Sequence, residues 1–264
     1  MGLSQGEDLF SKALAFKREQ VDIYVIGLGA KYLNRGDLGA NMAKSMKEGT
    51  EKGRDGKGNM FLSASGNSGL DQGSCSLDSQ VNSPYGMAIA SVGQSGSKAY
   101  YGEECAALLA AAFSGGQYPD PPLVTTTVNN SCEENFSGTS GAVSVAGGVL
   151  ALVLQANPDL TWRDMQHLIV RSSRRDIIDI VDAQWITNGA GHKFSTAFGF
   201  GLLDALQLVK NAKKWKSVGD QKTCEAAMQA EAAAASHASL AKVVQPERKA
   251  EILLDFSSGN CAIR

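Results

Sequence analysis

Histidine is scarce: His167, His192 and His237 are the three in 264 residues, and none is spaced as a metal-binding pair. That spacing excludes the usual histidine-rich metal centre. Lysine and arginine total 25 against 27 aspartates and glutamates, a formal net charge of −2, with no basic half and no long Lys/Arg run. A general nucleic-acid or anionic-membrane binder needs concentrated positive charge, so small molecules or peptides are the expected partners. The N-terminal Met1-Gly2-Leu3-Ser4-Gln5-Gly6-Glu7 has no basic segment leading into an apolar stretch, and no apolar run reads as long enough to cross a bilayer. The sequence therefore predicts neither a signal peptide nor a membrane span. Five cysteines, Cys75, Cys105, Cys132, Cys224 and Cys261, include no Cys-x-x-Cys pair. A zinc ribbon is excluded, and the odd count leaves at least one cysteine unpaired within the chain.

What is present is enough apolar residue for a core: 43% of the chain is hydrophobic and 20% charged, sufficient for one large or two small domains. Val21 to Ile26 is a β-branched run ending in Gly27-Leu28-Gly29, and Leu38 to Lys52 has helical spacing with Met42, Ala43 and Met46 on one side. Met60 to Ala64 is a short apolar strand that stops at Ser65-Gly66-Asn67-Ser68-Gly69. The repeated order of strand, glycine loop and helix predicts an α/β fold on a parallel sheet, with ligands at the C-terminal ends of the strands. Further strands are expected at Tyr85 to Val92 and Leu123 to Thr127. A helix runs from Ser140 to about Gln155, and Asn157-Pro158-Asp159 breaks it. Thr161 with Asp164 three places on opens another helix, and Gly199-Phe200-Gly201 leads into one from Leu202. From about Ser217 the composition changes: Cys224 to Val244 is dominated by alanine and reads as an exposed connector, followed by a possible strand at Ile252 to Phe256.

Two loops invite chemistry. Gly27-Leu28-Gly29-Ala30-Lys31-Tyr32 after a strand is laid out like a dinucleotide fingerprint, but Tyr32 stands where its third glycine belongs. Phe136-Ser137-Gly138-Thr139-Ser140-Gly141 runs into a small-residue helix, which would place the Ser140 hydroxyl at a helix N-terminus beside unpaired N–H groups. A nucleophile also needs a donor aimed at the oxyanion, and the Asn67 amide on a strand-end glycine loop can serve. Each has a plain alternative: Ser140 as a helix cap, and Asn67 as a residue that tolerates a left-handed turn.

Eight strings decide between these readings. Ala64-Ser65-Gly66-Asn67, Tyr101-Gly102-Glu103-Glu104-Cys105, Phe113-Ser114-Gly115-Gly116, Val124-Thr125-Thr126, Gly138-Thr139-Ser140, Leu160-Thr161-Trp162-Arg163-Asp164-Met165-Gln166-His167, Trp185 with Thr187-Asn188, and Gly199-Phe200-Gly201-Leu202-Leu203-Asp204-Ala205 stand in this order. In order and spacing the chain resembles the subtilisin-like proprotein convertases, the furin and kexin group, over roughly Val21 to Ser217. The resemblance implies a three-layer α/β subtilisin-like fold, incomplete at its N-terminus, in residues 1–217. Residues 218–264 would then hold the alanine-rich connector and the start of a β-rich P domain. It implies a serine endopeptidase that cleaves peptide or proprotein substrates after basic residues in the secretory pathway, either in the Golgi or secreted. By resemblance Ser140 is the nucleophile and Asn67 the oxyanion donor, while Gly27, Leu28, Gly29, Ser65, Gly66 and Thr139 line the substrate cleft. Asp78 matches the acid that receives a basic P1 side chain. Cys75 is expected to pair with Cys105 and Cys224 with Cys261, leaving Cys132 without its family partner.

The departures from the family are as specific. The family's catalytic aspartate and histidine lie before the cleft strand in Asp-Asp-Gly and His-Gly-Thr settings, and neither setting occurs in this sequence. His167 falls in a helix string outside the catalytic site. Family members hold calcium beneath the S1 pocket with three acids, but Tyr32 and Gly73 replace two of them and only Glu103 remains. One carboxylate does not meet calcium's demand for six to eight oxygens, so loss of this site is expected. Ser144 replaces a family proline four residues past the nucleophile. The chain therefore reads as a partial convertase without activity of its own, or alternatively as a non-catalytic protein that binds peptides or an intact convertase. Two glycosylation sequons, Asn129-Asn130-Ser131 and Asn135-Phe136-Ser137, complete the inventory.

Overall fold

Buried β-branched and apolar runs dictate the centre of the molecule. In the computed structural model, which describes residues 3–28, 40–115, 120–219 and 221, four strands pair in parallel. After helix α1 (Leu3–Ala15) come strand β1 (Ile23–Ile26), helix α2 (Ala40–Lys52) and strands β2 (Met60–Ala64), β3 (Gly86–Val92) and β4 (Leu108–Phe113). Their order across the sheet is β1-β2-β3-β4, the order of the chain. Side chains alternate between faces. Met60, Leu62, Met87, Ile89, Ala110 and Ala112 meet one helical layer, whereas Phe61 packs with Leu14 of α1 and Met42 and Met46 of α2 on the other. Two covered faces explain why β2 is buried at every residue and β3 at all but its first.

The chain continues through an antiparallel hairpin of β5 (Leu123–Thr127) and β6 (Ser131–Phe136) into α3 (Thr139–Ala156). Ala142, Val143, Ala146, Leu150 and Val153 of α3 are fully buried against the sheet. A side chain at Gly147 would approach Val25 to 2.7 Å, so glycine lets the helix settle onto β1. By length and composition α3 is long and apolar enough to cross a membrane, which corrects the sequence expectation that no segment is. Half of it is buried inside this body, as a helix apolar on nearly all sides must be when it serves a core. Helix α4 (Trp162–Ser172) then starts at the predicted capping box: the Thr161 side chain accepts from Asp164 N–H, and the Asp164 carboxylate from Thr161 N–H. The short helix α5 (Ile180–Ala183), a small ladder of β7 (Ile186–Thr187) and β8 (Lys193–Phe194), and α6 (Ala205–Ala212) complete the body.

Predicted starts move: the first strand begins at Ile23 rather than Val21, and the last helix shifts further. The last helix starts at Ala205 rather than Leu202, because Leu202 exchanges backbone hydrogen bonds with Arg174 and Leu203 N–H donates to Ala111 of β4, leaving Asp204 to cap the helix through Gln207 N–H. The elements not read from the sequence include α1, the alanine-rich β4, the exposed, polar β6, and the short α5, β7 and β8. The backbone separates into residues 1–219 and 220–264. Expectations for Gly29 to Asn34, the alanine-rich connector, Cys224, Cys261 and the strand at Ile252 fall outside the described residues.

Candidate active site

Gly138, with φ at +91°, turns the chain from β6 into α3 in a conformation that side-chain-bearing residues avoid. Ser140 is thereby set half-buried in the first helical turn, where backbone N–H groups lack intrahelical partners and the helix dipole favours negative charge. The turn is braced from beneath. Ser114, just past β4, donates its hydroxyl to Gly138 O at 2.8 Å, and the Tyr101 hydroxyl reaches Ser114 O at 2.8 Å and Gly115 O at 2.9 Å. The Ser140 hydroxyl itself donates to Gly27 O, just past β1, at 2.6 Å. A peptide carbonyl holds that proton in place and has no capacity to accept it at neutral pH.

Asn67 lies across the same turn. Its Oδ1 accepts from both the Thr139 N–H and the Thr139 hydroxyl, each at 2.9 Å. A backbone N–H can only donate, so the oxygen of the amide must face Thr139 and Nδ2 is left as the outward donor. Thr139 is fully buried, and its hydroxyl also accepts from Gly66 N–H at 3.2 Å. Glu103 fastens the loop on both sides of Asn67: its backbone N–H donates to Gly66 O, and its carboxylate accepts from Ser68 N–H at 3.0 Å. Gly66 has φ +111°, and a Cβ there would come within 2.5 Å of the Glu103 carboxylate. Gly66→Ala is therefore expected to lower the unfolding free energy by about 2 kcal/mol, readable by urea denaturation, as the cost of a left-handed backbone at an alanine.

Sequence-predicted residues distribute around this centre in different ways. Gly27 reaches Ser140, and Leu28 follows it with nearly half its surface exposed. Ser65 is buried, and its Oγ has no partner. Cys75 and Cys105 form the expected disulfide, joining the loop after β2 to the loop before β4. Cys132 is free and exposed on β6. Asp78 is not a solvated loop acid: it is buried, and its Oδ1 accepts from Gln80 N–H at 2.8 Å and Val81 N–H at 3.3 Å. The Glu103 carboxylate, the one acid of the family's calcium set kept in this sequence, accepts from Ser68 N–H at 3.0 Å, and Gly73 has no side-chain oxygen to add to it.

Among the described residues no histidine is hydrogen-bonded to Ser140, whose hydroxyl donates to Gly27 O. His167 sits on α4 in a cavity of about 360 Å³ with Val81, Gly86 and Gln166, where burial first, and then the charges of Arg163 and Arg171, lower its pKa. His192 packs edge-on against Phe200. Two residues carry roles that the sequence did not assign: Ser114 beneath Gly138, and Thr139, read there as cleft lining, as the anchor of Asn67. The Phe113-Ser114-Gly115-Gly116 string marked the first without giving its role.

Comparison with known proteins places this geometry. Residues 4–201 match the subtilase family, Peptidase_S8, and the match takes in α1, ahead of the resemblance read from the sequence. Furin-like protease 1, isoform 1-CRR, of Drosophila melanogaster is 37% identical over 217 residues, covering 81% of this chain and 20% of that protein. Proprotein convertase subtilisin/kexin type 5 of Rattus norvegicus is 44% identical over 181 residues, 69% of this chain and 10% of that protein. The chain thus spans a fifth or less of the length of these two relatives. Among solved structures, the serine protease of Aeromonas sobria in complex with its chaperone superposes with a TM-score of 0.71 at 18% identity, covering 81% of this chain and 47% of that one. The fold agrees with the latter and the sequence with the former two: the chain belongs to the subtilase family, among its proprotein convertases.

Proposed function

We propose that residues 1–217 carry the nucleophile and oxyanion half of a convertase-type serine endopeptidase, acting on peptide or proprotein substrates, with cleavage after basic residues as in the convertases. The observation that supports this reading most is the orientation of Asn67: Thr139 consumes its carbonyl oxygen and leaves Nδ2 as a donor beside Gly138, two residues before Ser140. Acyl transfer would add Ser140 Oγ to the scissile carbonyl and place its oxygen on Nδ2 and first-turn N–H groups of α3. Gly27 and Leu28 would border the extended substrate, with Ser65, Gly66 and Thr139 supporting the cleft. Asp78, with Oδ1 tied to two amides, retains Oδ2 for a basic P1 group. Calcium beneath S1 is absent from this reading, since Glu103 serves the oxyanion loop instead. The Cys75–Cys105 bridge supports a place in the secretory pathway, Golgi or extracellular.

Turnover needs one thing more. A serine hydroxyl whose proton rests on Gly27 O is not activated, and losing the base of a triad removes nearly all catalysis. The 264-residue chain alone is expected to show neither hydrolysis of fluorogenic Arg-X-Lys-Arg peptides nor fluorophosphonate labelling above that of Ser140→Ala. Labelling that disappears in Ser140→Ala would overturn this and establish an active serine. The same carbonyl contact favours a second reading, a protein that binds peptides or an intact convertase without cleaving. Calorimetric binding of an Arg-X-Lys-Arg peptide without turnover would favour it.

A further inference from the structure

We propose that Asn129 carries an N-linked glycan and that Asn135, in the neighbouring sequon, does not. The proposal rests on the secretory part of the function above and on none of its catalysis. Both asparagines precede a serine by two residues and both are exposed. Their positions in the β5–β6 hairpin differ.

Asn129 is at the tip. It and Asn130 adopt φ of +58° and +54°, a two-residue left-handed turn that asparagine tolerates better than other side-chain-bearing residues, and every residue from Val124 to Cys132 is exposed. Ser131, the third sequon residue, is also exposed, with its hydroxyl donating to Val128 O at 3.0 Å. Among the described residues, none of the body covers this turn, whose residues are all exposed. Beside it, Val124 and Val128 are 68% and 76% exposed, on a two-stranded ribbon whose free edges invite pairing with other chains. The unpaired Cys132 lies opposite Thr126 on the same ribbon. A bulky, hydrated group at the tip covers the apolar and edge surface that an isolated hairpin otherwise leaves to solvent.

Asn135 is at the root. Its backbone N–H is taken by the Glu133 carboxylate at 2.8 Å, and the next residue, Phe136, pairs with Leu123 and lies against Gly141 of α3. Its sequon serine, Ser137, is the last residue before the Gly138 turn that Ser114 pins. A glycan here would occupy the approach to Ser140, in the part of the hairpin already held by the core.

The reaction requires an oligosaccharide carried on a polyprenyl diphosphate. The Asn129 Nδ2 forms a C–N bond to the anomeric carbon, the C–O bond to the diphosphate breaks, and the polyprenyl diphosphate leaves with the bonding electron pair. The amide gives up one proton to a base of the transferase.

The test is cell-free translation of the full chain behind a cleavable signal sequence with microsomes, scoring only protease-protected product, so that entry does not depend on the chain's own targeting. One endoglycosidase H-sensitive step is expected in the protected chain, lost in both Asn129→Gln and Ser131→Ala and retained in Asn135→Gln. Protected chain without a step, or a step that survives Asn129→Gln, would overturn the site. Two steps in the unsubstituted chain would overturn the exclusion of Asn135. Since the signal sequence is supplied and no activity is read, failure of the peptidase reading leaves these outcomes unchanged.

Discussion

Arg54→Ala is expected to lower the unfolding free energy by about 3 kcal/mol, although the residue belongs to none of the family strings. The guanidinium is almost completely buried just past α2, and Nη1 donates to Gly58 O and Leu160 O at 3.2 and 2.9 Å while Nη2 donates to Pro158 O at 3.2 Å. Truncation removes three hydrogen bonds, each worth roughly 1 kcal/mol, and leaves Gly58 O and Leu160 O without a side-chain donor, while Pro158 O keeps Lys57 Nζ at 3.3 Å. The ion pair from Nε to Asp22, at 2.8 Å, is the smaller part, because Asp22 is 63% exposed and its charge is screened by water. Urea denaturation separates the two: Asp22→Ala should cost less than about 1 kcal/mol. Arg54→Lys should recover less than half of the loss, since an ammonium cannot replace a planar fork reaching two chain segments. Equal costs for Arg54→Ala and Asp22→Ala would show that the salt bridge dominates.

Asp164→Asn is expected to cost about 2 kcal/mol at neutral pH, the order of one hydrogen bond to a charged acceptor. The buried carboxylate accepts from Trp215 Nε1 and Val218 N–H through Oδ1, and from Thr161 N–H and its hydroxyl through Oδ2. An amide that turns its nitrogen to Thr161 can still donate to the Thr161 hydroxyl, but the Thr161 N–H loses its acceptor and the other donors meet a neutral oxygen in place of a charged one. Burial raises the Asp164 pKa, but the hydrogen bonds from Thr161, Trp215 and Val218 outweigh it and leave the carboxyl below its ordinary value. A depressed folded-state pKa gives a contribution that is complete above the unfolded value of about 3.9 and is lost as pH falls through the folded one. The difference in stability between the parent chain and Asp164→Asn should therefore be constant from neutral pH to about pH 5 and shrink below it. A difference that persists undiminished in strong acid would show that packing, not charge, is what the substitution removes.

Much of the body was legible in the sequence because local chemistry and long-range packing agree there. The Thr161 and Asp164 pair specifies its helix start at a distance of three residues, and β2, β3 and β5 fall where their apolar or β-branched runs place them. Strand β4 shows where agreement ends: Ala110, Ala111 and Ala112 favour a helix in isolation, and only the sheet and Phe198 on its far side make small buried residues the right choice. Strand β6 lacks the alternation of a half-buried strand because it is exposed along most of its length. Helix α1 has its Phe10 and Leu14 spacing, but with Leu9 exposed the stripe is narrow. At the site, residue identities could be read and their couplings could not. The Thr139 hydroxyl that orients Asn67 acts over 72 residues, and the Gly27 carbonyl that holds the Ser140 proton is 113 residues away. Buried Asp78 tied to backbone amides and Glu103 tied to Ser68 are likewise products of tertiary geometry, which residue type alone does not encode.

The sheet order has a kinetic meaning. Since β1, β2, β3 and β4 lie side by side in the sequence in which they leave the ribosome, each newly made strand finds its neighbour already synthesised, and the sheet can grow in one direction without reserving a gap for a later insertion. The first strand nevertheless waits for α3, whose Gly147 accommodates Val25 only after more than a hundred further residues have emerged. The contact between Ser140 and Gly27 is thus a late event in biosynthesis: it can form only when all the strands that lie between them in the chain have been made.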